Sequence, residues 1–364
     1  MGNNKKIGII TFHAADNYGA VLQAYALQTY LAEQGNKVQI IDFVPYGVEK
    51  ANKPLFVQEK SAIKRMMKKA LILPNYFKLK KRNRSFASFR NEFLELGNKF
   101  RTAAEIKDTP LNYDICITGS DQVFNPLIKN SNIYYLDFCN EASKVAYAPS
   151  FGIKDFSLVG EKTKYLIKQF NHLSCREIDG AEFLSTVTGN TVLTVSDPVF
   201  LLSPEEWSKI TTKLCYGKYI FVYDLNGGSN LIAIANKIKA ETGFPIICVT
   251  ARKYYNTRYN VDELHVNSGP LEFISYIQHA EYVVTDSFHG TAFSILFRRK
   301  FISFVALKHA GSRIQNLLER LGIEDQIYYN TKEFDINKVV FKEYDKELEE
   351  LIKRSEQYLQ GIYK

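Results

Sequence analysis

Several features that would assign a protein class at once are missing from this chain of 364 residues. No apolar run approaches the roughly 18 to 20 residues that a membrane-spanning helix requires. His13 and Asp16 interrupt the N-terminal apolar stretch before a signal-peptide core can form. The five cysteines are widely spaced and never form a CxxC pair, so we expect buried thiols, without disulfides or structural zinc. From these absences we expect a cytoplasmic protein.

Two common enzyme motifs are also absent. The loop after the first predicted strand holds only Gly19, so the GxGxxG phosphate fingerprint is missing and the sequence implies no dinucleotide. No GxSxG motif surrounds Ser287, which argues against a hydrolase nucleophile. The ligand spacing of a tight metal site is missing as well, so we expect no metal.

Two series of alternating strand-like and helix-like segments are present. The first opens with "KIGIITF", a polar loop, a helix from Ala20 to about Gln34 and the strand "KVQIIDF". The rhythm pauses around Asp197-Pro198 and resumes at "KYIFVYDL". A hydrophobic content of 46% can fill two cores in a chain of this length. We therefore predict an α/β fold with a doubly wound N-terminal domain (residues 1–197), a second such domain (198–340) and a C-terminal helix (341–364).

Polar residues follow several of the predicted strands. Ligands of open parallel sheets gather at the carboxyl ends of the strands, so we expect a functional cleft between the two facing domains. Side chains that bind sugar hydroxyls are common at such positions, but ordinary loop formers and an Asx turn explain the same residues equally well. The candidates for acceptor binding are Asp16, Asn17, Tyr18, Gly19, Ser120 and Asp121.

The stretch "YVVTDSFHGTAFSILF" places His289 where an apolar strand turns into a helix. Asp286 or Ser287 can cap this helix, and its free N–H groups, at Gly290 and beside it, favour a phosphate or carboxylate. An imidazole exchanges protons near neutral pH, so His289 is a candidate acid or base. The alternative is that it only closes the turn, and spacing alone does not separate the two interpretations.

Two arginines are candidates for binding an anion. Arg176 directly follows the short apolar strand in "LSCRE", and Arg313 opens a helix after a strand. A guanidinium can bind a carboxylate or phosphate through two parallel hydrogen bonds. The alternative for both is a surface position, with Arg176 paired to Glu177.

Excess positive charge is confined to one segment. Residues 60–90 contain eleven of the 47 Lys and Arg residues and no acidic residue, which leaves 36 basic residues against all 39 acidic ones elsewhere. Within it, "KSAIKRMMKKALIL" predicts a helix with Ile63, Met66, Met67 and Leu71 on one face and lysines on the other. This basic helical insertion is either a solvated helix packed on the N-terminal domain or a surface for anionic lipid headgroups or a lipid diphosphate. Nucleic acid is not expected as a partner, because no known reading motif accompanies the charge.

Six motifs together give a family resemblance. The sequence resembles the polysaccharide pyruvyl transferases in "NYGAVLQAYAL", "GSDQVFNP", "SFG", "LSCRE", "DPVFLL" and "TDSFHGTAFSILF". These motifs occur in the expected order from residue 17 onward and cover most of the chain. The resemblance implies a fold similar to glycosyltransferase-B, with two Rossmann-like domains facing across a cleft.

The resemblance also implies a reaction. Members move the enolpyruvyl unit of phosphoenolpyruvate onto a sugar, usually closing a cyclic ketal, without a further cofactor. His289 matches the family's conserved histidine and Arg176 matches the arginine of its Arg-acidic motif. Some members carry Arg two residues before the histidine, where this sequence has Ser287, so Arg313 is our candidate for the second cation. The expected phosphoenolpyruvate-binding residues are Arg176, Ser287, Gly290 and Arg313.

Three further expectations concern partners and alternatives. The acceptor is expected to be a hexose of a cell-surface polysaccharide precursor. A separate hypothesis is that this sugar is linked to a lipid diphosphate, with the basic segment holding the protein at the inner membrane face. A glycosyltransferase or epimerase of the same architecture would use a sugar nucleotide instead. A non-catalytic glycan-binding protein would bind the acceptor without consuming phosphoenolpyruvate.

Overall fold

Two parallel sheets form the framework of the protein. The computed structural model describes residues 4–128, 131–139, 141–214, 216–254, 259–305, 311–332 and 334–363. The strands of the first sheet are β1 (Lys6–Ile10), β2 (Lys37–Phe43), β3 (Leu96–Phe100), β4 (Ile115–Thr118), β5 (Ser143–Ala146), β6 (His172–Cys175) and β7 (Leu193–Thr194). Those of the second sheet are β8 (Ile220–Asp224), β9 (Ile246–Thr250), β10 (Glu263–His265), β11 (Tyr282–Thr285), β12 (Lys300–Phe304) and β13 (Ile327–Tyr328).

Helices cover the faces of both sheets. Those of the first half are α1 (Tyr18–Glu33), α2 (Tyr46–Asn52), α3 (Ala62–Ile72), α4 (Tyr76–Phe93), α5 (Ala103–Lys107), α6 (Glu161–Ile167) and α7 (Ile178–Thr188). Those of the second half are α8 (Pro204–Ser208), α9 (Ser229–Thr242), α10 (Pro270–His279), α11 (Phe288–Leu296), α12 (Gly311–Arg320) and α13 (Asp345–Gly361). This confirms the prediction of two parallel α/β domains.

Strand order places one crevice at the carboxyl edge of each sheet. The orders are β3-β2-β1-β4-β5-β6-β7 and β10-β9-β8-β11-β12-β13. Each sheet is therefore built outward in two directions, from β1 and β4 in the first and from β8 and β11 in the second. At such a switch point the loops leaving the two central strands diverge and leave room for a ligand. The loops concerned begin at Thr11, Gly119, Leu225 and Asp286.

The predicted boundary at 197/198 lies between Thr194, where the first sheet ends, and Ile220, where the second begins. The predicted C-terminal helix corresponds to α13, which returns to the first domain. The Tyr358 hydroxyl donates to the Ala146 carbonyl at 2.9 Å, and Ser355 Oγ accepts from Ser196 N at 2.8 Å. The last helix therefore ties the end of the chain to the N-terminal sheet.

An aromatic cluster joins the two domains beside the crevices. Tyr18, at the start of α1, stacks on Phe273 of α10 with ring centroids 4.5 Å apart. Its hydroxyl donates to the Ser268 carbonyl at 2.8 Å. Trp207 packs edge-on against Phe293 of α11. These buried contacts hold α1 and α11, which carry candidate residues of both domains, in one fixed arrangement.

Candidate active site

One buried carboxylate connects the candidate residues of both domains. Asp197, which follows β7, accepts from Arg176 Nη1 at 2.6 Å and from Ser120 Oγ at 2.9 Å on its Oδ2 atom. Its Oδ1 atom accepts from Val199 N at 3.2 Å. His289 Nε2, from the second domain, lies 3.5 Å from Oδ2. The loops after β4, β6, β7 and β11 therefore meet at Asp197.

The environment of Asp197 keeps its carboxyl group ionised. Burial on its own would raise the pKa of this group. The neighbouring His289 and Arg176 and the Val199 N–H outweigh burial, so the pKa lies well below its ordinary value. Asp197 is thus a fixed negative charge that can hold an imidazolium and a guanidinium in place.

His289 is nearly buried in the first turn of α11. Its Nε2 atom makes no hydrogen bond within the described part of the chain, since the Asp197 contact has ion-pair distance without hydrogen-bond geometry. On the other side of the ring lies Gly19, where a Cβ atom would overlap the imidazole. The sequence places His289 at a strand-to-helix turn, and the structure brings it to the cleft face of the first domain.

The start of α11 uses its own polar groups for capping. Ser287 is the N-cap residue, and its Oγ accepts from Gly290 N at 3.4 Å. Gly290 packs against Thr285, and a Cβ there would lie 2.5 Å from Thr285 Oγ1. We predicted that Ser287 and Gly290 bind phosphoenolpyruvate, whereas the structure assigns the Ser287 hydroxyl and the Gly290 amide to the helix cap.

Arg176 is not the surface arginine of the alternative interpretation. It is buried, its Nε donates to Glu177 Oε1 at 3.2 Å, and its guanidinium lies 4.2 Å from the centroid of the Phe288 ring. Burial would lower its pKa, but Glu177, Asp197 and Asp121 raise it above the ordinary value. Its Nη2 atom is buried without a hydrogen-bond partner in the described residues. The Arg176 guanidinium is always charged, and its Nη2 group is therefore a hydrogen-bond donor that the site leaves unused.

Arg313, which we predicted to be the second cation of the donor site, faces the same cluster. Its Nη1 lies 3.8 Å from Asp121 Oδ1. When the amide oxygen of Gln122 is turned toward the guanidinium, it accepts from both Nη1 and Nη2 at 3.1 Å. Burial, followed by the charge of Arg176, lowers the pKa of Arg313, so the two guanidinium groups are close enough to repel each other. Asp121, Glu177 and Asp197 offset part of this repulsion. The two guanidinium groups can bind an anionic group between them through parallel hydrogen bonds.

Asp121 has an unusual backbone conformation at the carboxyl edge of the first sheet. Its φ of 71° and ψ of −172° lie in a region that residues other than glycine rarely adopt. Hydrogen bonds to its carbonyl from Ser150 N and Val123 N, both 2.8 Å, hold this geometry. Strain of this kind is typical of functional loops, and here it sets the carboxylate beside Arg313.

The other acceptor-binding candidates have different surroundings. Asp16 forms an ion pair with Arg90 at 3.0 Å and accepts a hydrogen bond from Asn83, so α4 uses its carboxylate. Asn17 caps α1, accepting from Ala20 N at 3.2 Å, and it also lines the apolar pocket described below. The Tyr18 side chain is buried in the interdomain cluster. Only Gly19, Ser120 and Asp121 of the six lie in the cluster around Asp197 or beside its cations.

An apolar pocket adjoins Asp121. It has a volume of about 540 Å³ and lies at the carboxyl ends of β1 and β2. Its apolar walls include Phe12, Phe43, Val48 and Tyr134. Sugar rings pack their C–H faces on surfaces of this kind, so the pocket offers room for part of a substrate beside the charged cluster.

Sequence reasoning missed two charged residues of the site. Asp197 was interpreted as part of a domain boundary, and Glu177 only as a surface partner of Arg176. The available signal was position, because Glu177 lies two residues beyond the end of β6 and Asp197 three residues beyond the end of β7, at the carboxyl edge of the sheet. Within the described ranges, no group of three or more His, Cys, Asp or Glu side chains could hold a metal ion. The expected absence of a metal remains a prediction.

Sequence comparison assigns the family. The model of the polysaccharide pyruvyl transferase family matches residues 17–307, most of the chain. The chain belongs to this family. The match includes Gly19, Asp121, Arg176, Asp197 and His289, and ends before Arg313. No curated protein sequence matches this pyruvyl transferase family member.

Structural comparison shows the fold alone. A protein of Listeria monocytogenes assigned as a UDP-N-acetylglucosamine 2-epimerase superposes with a TM-score of 0.52 at 11% identity, covering 99% of this chain and 89% of the other. UGT89C1 of Arabidopsis thaliana gives a TM-score of 0.50 at 10% identity, covering 99% and 95%. The chain therefore has a fold similar to glycosyltransferase-B. In the described ranges, none of its helices combines the length and apolar character of a membrane span.

Proposed function

We propose that this protein transfers the enolpyruvyl group of phosphoenolpyruvate to a hexose of a cell-surface polysaccharide precursor, with ketal formation and release of phosphate. The observation that carries the proposal is the cluster around Asp197, in which His289 Nε2 and Arg176 Nη2 are buried without hydrogen-bond partners in the described structure. Most buried polar atoms in proteins are hydrogen-bonded, so a ligand that pairs with both of these atoms would account for their being unpaired.

The charges fit a donor with two anionic groups. Phosphoenolpyruvate carries a carboxylate and a phosphate, and Arg176 and Arg313 are two cations whose mutual repulsion an anion would relieve. Arg176 is held rigidly by Asp197 and Glu177, so its free Nη2 donor is pre-organised. Arg313 replaces, in this proposal, the arginine that some members carry at the position of Ser287.

His289 is the proposed acid. It delivers a proton to the terminal methylene of phosphoenolpyruvate, which turns that group into a methyl and makes the adjacent carbon electrophilic. A sugar hydroxyl attacks that carbon and loses its proton. The phosphate then leaves with its bonding electron pair, and a second hydroxyl attacks the same carbon to close the ketal. The Asp197 carboxylate, whose Oδ2 lies 3.5 Å from Nε2, orients the ring.

Asp121 is the proposed base for the acceptor hydroxyls. Its carboxylate lies at the edge of the apolar pocket and close to Arg313, where a sugar in the pocket would meet the bound donor. Asp16 was also a candidate for binding and orienting the acceptor hydroxyls. Its ion pair with Arg90 leaves it less suited, because an acceptor hydroxyl would have to compete with a guanidinium.

Donor identity is the direct test of the function. The protein is incubated with phosphoenolpyruvate and a panel of lipid-linked and nucleotide-linked sugars, and the products are analysed by mass spectrometry together with phosphate release. The proposal requires a pyruvyl group on one acceptor and a stoichiometric release of phosphate. Transfer or epimerisation of a sugar nucleotide without consumption of phosphoenolpyruvate would reject it.

A further inference from the structure

Helix α3 is mounted with its apolar face toward solvent. Its apolar side chains Ile63, Met66, Met67 and Leu71 are 74, 74, 64 and 58% exposed. The side turned to the protein carries Ile72, which is buried, and Lys68, which is partly exposed and whose Nζ lies 2.8 Å from Glu59 Oε2. An ordinary surface helix has the opposite arrangement, with its apolar stripe packed on the core.

The exposed apolar area continues beyond α3. Leu73 is 61% exposed and Phe77, at the start of α4, is 80% exposed. With the four side chains of α3 they form what we term the α3 surface: Ile63, Met66, Met67, Leu71, Leu73 and Phe77. Single exposed apolar residues need no explanation, but six within fifteen residues of chain are typical of an interaction surface.

Positive charge surrounds this surface. Eight basic side chains of residues 60–90 are exposed, namely Lys60, Lys64, Arg65, Lys69, Lys78, Lys80, Lys81 and Arg84. Arg82 and Arg90 have structural roles: Arg82 donates to the Thr250 and Ala251 carbonyls, and Arg90 pairs with Asp16. On the helical wheel, Lys64 and Lys69 lie on either side of the apolar face.

We propose that the α3 surface docks on an anionic lipid bilayer. Apolar side chains flanked by lysines suit the boundary between headgroups and acyl chains. There the apolar side chains are buried among the acyl chains and the lysines contact the lipid phosphates. A second copy of this chain is a poorer partner for the same surface. Pairing two such segments would bring exposed cations of one sign together, whereas an anionic membrane neutralises them.

The proposal goes beyond the chemistry of the cleft and does not depend on it. One consequence does rest on the proposed function: a docked enzyme would receive its acceptor from the bilayer, which favours a sugar linked to a lipid diphosphate. Docking is measured in the absence of phosphoenolpyruvate. A failure of docking is therefore distinguishable from a failure of the pyruvyl transfer hypothesis.

Vesicle sedimentation tests the docking. The full chain is mixed with phosphatidylcholine vesicles or with vesicles that also contain phosphatidylglycerol. The proposal predicts binding to the anionic vesicles that weakens with added salt, and at least about tenfold weaker binding to the neutral ones. Equal binding to both kinds, or binding to neither, would overturn it.

Two variants separate the apolar and charged contributions. The triple substitution Ile63→Ser, Met66→Ser and Met67→Ser removes apolar area without touching the core, and should lower the partition coefficient at least about tenfold. Lys64→Glu with Lys69→Glu should do the same on anionic vesicles only. The matched control is Leu127→Ser with Tyr165→Ser, because these side chains are also exposed, at 69 and 64%, but lie outside the basic segment. Its binding should match the parent protein.

A sedimentation-equilibrium measurement covers the alternative partner. The proposal predicts the same molecular mass for the parent protein and the triple variant in solution. A dimer that the triple variant abolishes, together with no binding to anionic vesicles, would reject the bilayer and identify a second copy as the partner.

An activity measurement tests the lipid-linked acceptor. The triple variant should keep its turnover with a water-soluble acceptor and lose it with a vesicle-embedded one. Equal turnover on both acceptors would overturn the lipid-linked consequence.

Discussion

Gly19 of the first domain lies directly against the imidazole of His289 in the second, with no room for a Cβ atom between them. The contact fixes the distance between the candidate acid and the cleft face of the N-terminal sheet. Gly19 was predicted to bind the acceptor, and the structure gives it a spatial role that only a residue without a side chain can fill.

Gly19→Ala should therefore displace His289 without unfolding the protein. A shift of about 1 Å in a catalytic group can cost on the order of 100-fold in rate, so we expect a loss of turnover of that order. Gly361→Ala is the control, since Gly361 also lies in a helix, a Cβ there would meet nothing within 4 Å, and the residue is outside the pocket and the Asp197 cluster. Normal turnover in Gly19→Ala would contradict a working role for the His289 position.

Arg176→Lys should weaken the binding of phosphoenolpyruvate. A lysine ammonium is a single charged point and cannot contact Asp197 and Glu177 while presenting a further donor to an anion. We expect KM for phosphoenolpyruvate to rise at least about tenfold, with a smaller effect on the acceptor. Arg298→Lys is the control, because Arg298 is half exposed and pairs with Asp345 at 2.9 Å. An unchanged KM would remove Arg176 from the donor site.

Asp121→Gly should be more stable than Asp121→Asn. Both variants remove the carboxylate beside Arg313, but glycine adopts the backbone angles of Asp121 without strain, and the release of strain outweighs its greater freedom in the unfolded chain by about 1 kcal/mol. Denaturant unfolding should show this difference between the two variants. Turnover should fall in both, because the carboxylate is lost. An active Asp121→Asn enzyme would exclude the carboxylate from the reaction.

Asp197 predicts a characteristic dependence of stability on pH. Its pKa in the folded protein lies below the unfolded value of about 3.9, so its stabilising contribution is complete above that pH and is lost as the pH falls toward the folded pKa. Asp197→Asn leaves Arg176 without its closest partner and should cost about 3 to 5 kcal/mol near neutral pH. The difference between the two unfolding free energies should shrink below about pH 4, where the Asp197 carboxylate begins to be protonated. A difference that grows below about pH 4 would contradict the assignment.

The sequence was sufficient for the strands and helices that carry a regular apolar pattern. The turn from β11 to α11 was predicted because a buried strand, a capping serine and a helical repeat follow one another locally. β3, with the sequence "LGNKF", has no such pattern and is a strand only because it pairs with β2. α7 opens with "IDGAEF", in which an aspartate and a glycine obscure the helical repeat.

Individual residues of the site could be predicted from the sequence, but the contacts that bring them together could not. His289, Arg176 and Asp121 were chosen because each follows a strand, which is a local property. That Asp197 joins them depends on contacts across the chain, such as the one with Ser120, 77 residues away. The same limit explains Asp16, whose ion pair with Arg90 on α4 is invisible in the local sequence.

The central claim is that His289 protonates phosphoenolpyruvate in a pyruvyl transfer to sugar. The most direct measurement follows phosphate release and pyruvyl addition by mass spectrometry for the parent protein and His289→Ala, with His265→Ala as the control histidine outside the cluster. The account predicts a pyruvylated sugar from the parent and the control, and a loss of at least about 100-fold in turnover for a folded His289→Ala. Near-normal turnover in His289→Ala, or a parent protein that forms no pyruvylated sugar with any acceptor while it converts a sugar nucleotide, would contradict it.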